Sequence, residues 1–205
     1  SNTEDVYALT TPLTKLPKTF EAMVLLPKHY SARAGVLLGN YNHPAKTGEY
    51  RYSFEIYSNG NPRIYYDYDG ESGITNNAYV FKTVDIRSDE FVHLAITHDV
   101  VTNKVYCYVN GELKEEGQLP VNKEVFGDYS FLSKTAPVVG NDHRLNAQWF
   151  KGVIAGMEIY SDLRTAEEIA LDAQRACKEF ISDSNLLAAF DFTQKEPLNL
   201  LDKSS

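Results

Sequence analysis

Residues 90–117 read EFVHLAITHDVVTNKVYCYVNGELKEEG, and this stretch decides the fold class. Apolar and polar side chains alternate through residues 92–98, which is the period of a strand with one buried face. A second alternating run follows at residues 105–109. Asn110-Gly111 then predicts a tight hairpin turn, because both residues tolerate positive φ. The stretch therefore predicts consecutive antiparallel strands joined by short turns.

The same pattern continues on both sides of this stretch. Asn59-Gly60 predicts another hairpin, between residues 52–57 and residues 63–68. Further strands are predicted at residues 20–26, 35–39, 112–115, 138–140, 152–160 and 186–192. Short strands separated by turn residues are typical of a sandwich. We therefore expect an all-β fold, a two-sheet antiparallel β-sandwich that residues 1–205 form as a single domain.

One short α-helix is predicted near the C-terminus. Thr165 is a good N-cap, and Glu168 completes a capping box with it. Apolar residues then recur at helical spacing, which we interpret as a core face. These residues are Ile169, Ala173, Ala176, Cys177 and Phe180.

The composition argues against two classes of partner. The 205 residues carry a formal net charge of -8, whereas nucleic acids and anionic membranes are bound by concentrated positive charge. No apolar run of about eighteen residues occurs, so we expect no membrane insertion. The chain opens with Ser1-Asn2 and lacks an initiator Met. We interpret Ser1-Asn2 as a cloning remnant and the chain as a piece of a longer protein.

Three stretches together carry a resemblance to a known family. They are residues 90–117, residues 137–169 with the pattern F-x-G-x-I followed by R-T-x-x-E-I, and the closing LLAAFDF of residues 186–192. They resemble the laminin-G-like branch of the concanavalin A-like lectin and glucanase superfamily. One departure is Phe91, where the family often has Trp. The resemblance implies a concanavalin A-like jelly roll, but this fold hosts many functions and does not specify a ligand.

The residues that catalysis would need are missing from the sequence. Glucanases of this superfamily place carboxylates on one strand as Glu-x-Asp-x-(x)-Glu, and Glu55 stands alone in its strand. Asp67, Asp69 and Glu71 alternate but run into a glycine turn, so we interpret them as a solvated strand edge. No GxSxG or HExxH motif occurs, and His93 and His98 should point to opposite faces of their strand. We therefore expect no enzyme, and a glycoside hydrolase is the least favoured alternative.

Two loops and one strand face offer residues for sugar binding, which uses an aromatic ring with polar groups around it. The candidates are Asp142, Arg144, Asn146, Gln148 and Trp149 in one loop, Tyr41 and His43 in a second, and Tyr65 and Tyr57, which alternate with core-facing residues and could line an open groove. The alternative for Trp149 is that it covers a sheet edge beside the core residue Phe150.

Calcium is the one cofactor that the sequence suggests. Asn141 and Asp142 lie in a loop between strands and could give two of the six to eight oxygen ligands that this ion needs. The alternative is that Asp142 pairs with Arg144 or caps its own loop. For Cys107 and Cys177 we favour free buried thiols, with a disulfide as the alternative.

From the resemblance and the missing carboxylate motif we expect a non-catalytic binding module. Its partner would be an oligo- or polysaccharide, and its parent a larger secreted or surface bacterial protein, so we expect an extracellular or cell-surface location. The alternative is a protein-interaction or architectural module that packs beside a neighbouring catalytic domain.

Overall fold

The computed structural model describes residues 7–8, 13, 15–30, 34–40, 50–68, 77–119, 136–141, 149–175 and 183–193. They form two antiparallel sheets of six strands each. In spatial order, the first sheet contains β1 (Tyr7–Ala8), β10 (Val138–Val139), β3 (Ala34–Gly39), β4 (Tyr50–Tyr57), β5 (Pro62–Tyr68) and β6 (Asn77–Val80). The second sheet contains β12 (Leu186–Asp191), β11 (Val153–Tyr160), β2 (Thr19–Leu25), β7 (Val92–Asp99), β8 (Lys104–Val109) and β9 (Glu112–Gln118). One helix, α1, spans Ala166–Arg175.

The predicted sandwich is confirmed, and every predicted strand is present. Two strands were not predicted, β1 and β6. β1 has only two residues, and the four residues of β6 are too few for alternation to stand out. β9 also extends beyond the predicted residues 112–115 and pairs with β8 along most of its length. Its charged side chains obscure the strand pattern in the sequence.

The core lies between the two sheets and draws on both. Alternation places Phe54 and Ile56 of β4 inside, as predicted, where Phe54 meets Phe20 of β2 with ring centroids 5.4 Å apart. Each large side chain buried in this way contributes about 1.5–3 kcal/mol to folding. Cys107 of β8 is fully buried in the same core as a free thiol, which confirms the favoured prediction for this cysteine. Cys177 lies outside the described residues.

The Asn-Gly turn after β8 also fixes the position of α1. Asn110 and Gly111 both adopt positive φ, of 52° and 80°. A Cβ atom on Gly111 would lie 2.9 Å from the Cα atom of Ala170, so the helix packs directly against this turn. Glycine is therefore needed here for its conformation and for its size.

α1 lies on the outer face of the second sheet, where Ile169 packs against Ala95 and Tyr108. Its capping box is present, since the Glu168 N–H donates to Thr165 Oγ1 at 3.2 Å. The sequence predicts an apolar core face for this helix. In the structure the buried face also includes Asp172, so the prediction is wrong on this point. Ala176, Cys177 and Phe180 lie outside the described residues. No helix in the described part of the chain combines the length and the hydrophobicity of a membrane span.

Candidate ligand-binding face

One row of residues crosses the outer side of the first sheet on five neighbouring segments. Backbone pairing connects them in the order Trp149, Val36, Glu55, Arg63 and Val80. Paired residues of a sheet point to the same side, and their sequence neighbours point to the other. Trp149 is therefore placed outward, and Phe150 packs inward against the core as predicted. We call the outward surface formed by Trp149, Val36, Ser53, Glu55, Tyr57, Arg63 and Tyr65 the front face.

An ion pair between Arg63 and Glu55 lies in the middle of the front face. Arg63 Nη1 donates to Glu55 Oε2 at 2.9 Å, and the Ser53 hydroxyl donates to Glu55 Oε1 at 2.7 Å. The Arg63 guanidinium carbon lies 5.3 Å from the ring centroids of both Tyr57 and Tyr65. Cation–π contacts of this kind are worth about 0.5–2 kcal/mol each. The guanidinium is thus held in one position by a carboxylate and two aromatic rings.

Exposure differs between the members of this cluster. Glu55 is only 5% exposed and Tyr65 only 8%, although both point away from the core. Arg63 and Tyr57 are half-buried, and so is Trp149. A ligand on this face would therefore meet Tyr57, Arg63 and Trp149 first.

Three of the predicted ligand-binding residues, Tyr57, Tyr65 and Trp149, lie on the front face, although different patterns suggested them. The other six lie outside the described residues: Tyr41, His43, Asp142, Arg144, Asn146 and Gln148. The ends of the segment that contains four of them are fixed beside β3. The Gly140 N–H donates to the Leu37 carbonyl at 2.9 Å, and the Phe150 N–H donates to the Gly140 carbonyl at 3.0 Å.

The calcium prediction is only partly covered by the described residues. Asn141 is fully buried at the start of this segment, and Asp142 lies outside the described part of the chain. Calcium binding at these two residues stays a prediction.

Sequence reasoning missed Ser53, Glu55 and Arg63 as members of a site. The signal was present, because the Asn59-Gly60 turn sets the register of the β4–β5 hairpin and places Glu55 opposite Arg63. From the sequence, Glu55 is considered only as a possible catalytic acid, and its strand contains no second acid. Its neighbour across the hairpin is the positively charged Arg63.

A second group of charged residues lies beneath α1, on the outer face of the second sheet. We call it the ionic network: Glu21, His93, Glu158, Arg164, Asp172, Arg175 and Asp183. The carboxylates of Glu21, Glu158 and Asp172 approach within 4.8 Å of one another beside a small cavity. This is close to the separation of about 5 Å that retaining glycosidases use between their two carboxyl groups.

The contacts of these carboxylates argue against catalysis or metal binding there. Arg175 donates to both oxygens of Glu158, at 3.0 and 2.9 Å, and Arg164 lies 2.7 Å from Asp172. Glu21 meets His93 Nε2 at 2.9 Å and Arg164 at 3.3 Å, and burial raises the pKa of its carboxyl. Two arginines already supply the positive charge that a cation would bring. The network therefore connects the helix to the sheet.

The two histidines of β7 point to opposite faces, as predicted. His93 joins the ionic network, whereas His98 lies in the core with its ring centroid 4.9 Å from that of Tyr66. Burial lowers the pKa of His98 to about 4. His98 is therefore neutral at physiological pH.

Sequence comparison identifies the family. A laminin-G domain model of the concanavalin A-like lectin/glucanases superfamily matches residues 8–170. The chain belongs to this superfamily. No curated protein sequence matches the chain.

Solved structures share the fold at low sequence identity. A heptameric SAP-like pentraxin from Limulus polyphemus has a TM-score of 0.60 and 11% identity, over 98% of this chain and 88% of the pentraxin. A candidate carbohydrate-binding protein from Bacteroides ovatus has a TM-score of 0.62 and 15% identity; the match covers 98% of this chain but only 54% of that protein. The CBM40 of the Ruminococcus gnavus IT-sialidase has a TM-score of 0.55 and 13% identity, over 83% and 98% of the two chains. It has also been solved with α2,3 sialyllactose.

Proposed function

We propose that the chain is a non-catalytic carbohydrate-binding module and that its ligand lies on the front face. One observation carries the proposal: Arg63 is held by Glu55, Tyr57 and Tyr65 on the same sheet face as Trp149. Sugar sites combine aromatic rings, which pack on the apolar side of a pyranose, with a few positioned polar groups that bind its hydroxyls. The carbohydrate ligands of proteins with the same fold support this function.

The size of the front face favours an oligosaccharide over a single sugar. Neighbouring strands lie about 4.8 Å apart, so the row from Trp149 to Val80 spans about 19 Å. This distance exceeds one sugar ring. Trp149 would contact one part of the chain, and Tyr57 with Arg63 another.

Binding measurements on matched variants test the proposal. Wild-type protein is screened on an array of oligo- and polysaccharides, and the best binder is titrated by calorimetry against Tyr57→Ala and Arg63→Ala. We expect each variant to lose about tenfold or more in affinity, since a central contact residue typically contributes over 1 kcal/mol. Phe91→Ala, which removes a 46% exposed aromatic ring outside the front face, should bind like wild type. Absence of binding on the array, or equal affinity of all four proteins, would contradict the proposal.

A second candidate function is an architectural module that packs beside a neighbouring domain. One observation favours it: Val153 of β11, which pairs with Leu25 of β2, is 50% exposed, and Phe91, directly before β7, is 46% exposed. Exposed apolar side chains can form a contact surface. Phe91→Ala would then weaken association with the neighbouring domain, measured with the two parts mixed, and leave glycan binding unchanged.

The location and the cofactor are part of the same proposal. A glycan ligand is consistent with an extracellular or cell-surface site within a larger secreted bacterial protein. Calcium would be bound by Asn141 and Asp142, in the segment that leads to Trp149 of the front face. Titration of glycan with and without a chelator tests this, and an unchanged affinity would argue against calcium.

A further inference from the structure

The two charged residues of the front face neutralise each other. In the β4–β5 hairpin, Glu55 is directly opposite Arg63. Side chains directly opposite one another on antiparallel strands are close enough to interact. Arg63 Nη1 donates to Glu55 Oε2 at 2.9 Å. Arg63 therefore already has a carboxylate as its neighbour.

This pairing matters for the charge of the ligand. A sugar carboxylate that accepts a hydrogen bond from Arg63 would lie close to the Glu55 carboxylate, which already accepts from Nη1. This arrangement brings two negative charges together on a partly desolvated surface, which is unfavourable. The formal net charge of -8 acts in the same direction at longer range.

An uncharged sugar fits the same pair without this conflict. A carboxylate only accepts hydrogen bonds and a guanidinium only donates them, whereas a hydroxyl does both. Neighbouring hydroxyls of a sugar can therefore donate toward Glu55 and accept from Arg63 while the ion pair stays intact. Tyr57 beside them offers a ring for the apolar side of the sugar.

We propose that the front face binds uncharged glycans and discriminates against glycans that carry a carboxylate. The inference rests on the proposed function and assigns the ligand class of the same site. It also separates this chain from the R. gnavus module that was solved with sialyllactose, although the two share the fold.

The test compares one polysaccharide in two charge states. The best uncharged binder from the array is titrated before and after its C6 hydroxyls are oxidised to carboxylates. Wild-type protein should bind the oxidised form about tenfold more weakly, as expected for a like charge placed beside Glu55. Affinity for the uncharged form should change less than about twofold between about 0.01 M and about 1 M salt, because screening acts on charged partners. Both measurements use wild-type protein and need no variant to fold.

Glu55→Gln adds a matched variant, since it removes the charge and keeps the shape. We expect this variant to bind the oxidised form more tightly than wild type does. The difference in affinity between the two forms should therefore be smaller for the variant. The inference would be overturned if wild type bound the oxidised form more tightly than the uncharged form, or if its affinity for either form fell steeply with salt. Either result would leave the proposed function standing. A wild-type protein that binds no polysaccharide in either form would overturn both.

Discussion

The front face and the ionic network use the same chemistry at different depths. Each pairs arginine with carboxylates on the outer side of a sheet. In the network, Arg164 lies beneath α1 and pairs with Asp172 of that helix and with Asp183. On the front face, Arg63 has one carboxylate and two tyrosine rings, and its side chain is 19% exposed, compared with 6% for Arg164. Burial therefore makes the first group structural, and partial exposure leaves the second available to a ligand.

The largest expected effect comes from breaking the network. Arg164→Ala removes a positive partner that Asp172, Asp183 and Glu21 share. Asp172 keeps Arg175 and Glu21 keeps its contact with His93, so the buried carboxylates are then only partly compensated. Breaking a buried ion pair in this way costs about 3–5 kcal/mol. Chemical denaturation should show this loss in the free energy of unfolding. A loss below 1 kcal/mol, as is typical of a surface pair, would mean that the network contributes little to stability.

His98, a buried residue that stays neutral, provides a second test of how burial affects ionisable groups. The pKa of His98 falls from 6.5 to about 4 on folding, because burial disfavours its charged form. The unfolded chain therefore binds more protons between these pH values, and the contribution of His98 to stability is lost as pH falls from 6.5 to 4. The loss amounts to about 3 kcal/mol at the acid end. Unfolding of wild type and His98→Gln across this range should show a steeper pH dependence for wild type; parallel curves would contradict this.

Arg63→Ala should have an intermediate effect on stability and a large one on ligand binding. The Arg63–Glu55 pair is partly buried, so we expect a loss of about 1–2 kcal/mol, between the values for exposed and buried pairs. The comparison with Arg164→Ala is the informative one. If Arg63→Ala destabilises the protein as much as Arg164→Ala does, the front-face pair is a structural element like the network.

The smallest effect is expected at the surface. Lys28 and Asp89 are 2.6 Å apart, but both side chains are about 70% exposed. Solvent and salt screen such pairs. Lys28→Ala should unfold at the same denaturant concentration as wild type within experimental error. A clear shift would show that depth alone does not rank the ion pairs of this fold.

The sequence predicted the sandwich well because local rules set most of it. The Asn-Gly turns fix two hairpins, and alternation assigns Phe54 and Ile56 to the core. The same alternation failed at Ser53 and Glu55, whose outward direction suggests solvent but which are nearly buried. Alternation along a strand indicates which side of the sheet a residue faces. It does not indicate whether other side chains cover that side.

The sites were less predictable because they join distant segments. Trp149 meets Val36 through a single bridge between segments far apart in the chain. Glu21 and Glu158 occupy ordinary outward positions of their strands, and only the packing of α1 buries them. Glu55 with Arg63 is the exception, since both belong to one hairpin and a register argument could have identified the pair.

The backbone hydrogen bonds at Gly140 and Phe150 have a consequence for how binding specificity can change. They hold both ends of residues 141–149 beside β3, so the sheet register does not depend on the length of the segment between them. Loop-closure entropy grows slowly, by about 0.6 kcal/mol for each doubling of length. Insertions, deletions and grafted sequences between these two anchors should therefore leave the scaffold folded. Under the proposed function, this segment, which ends at Trp149 of the front face, could vary in sequence and alter the ligand at small thermodynamic cost.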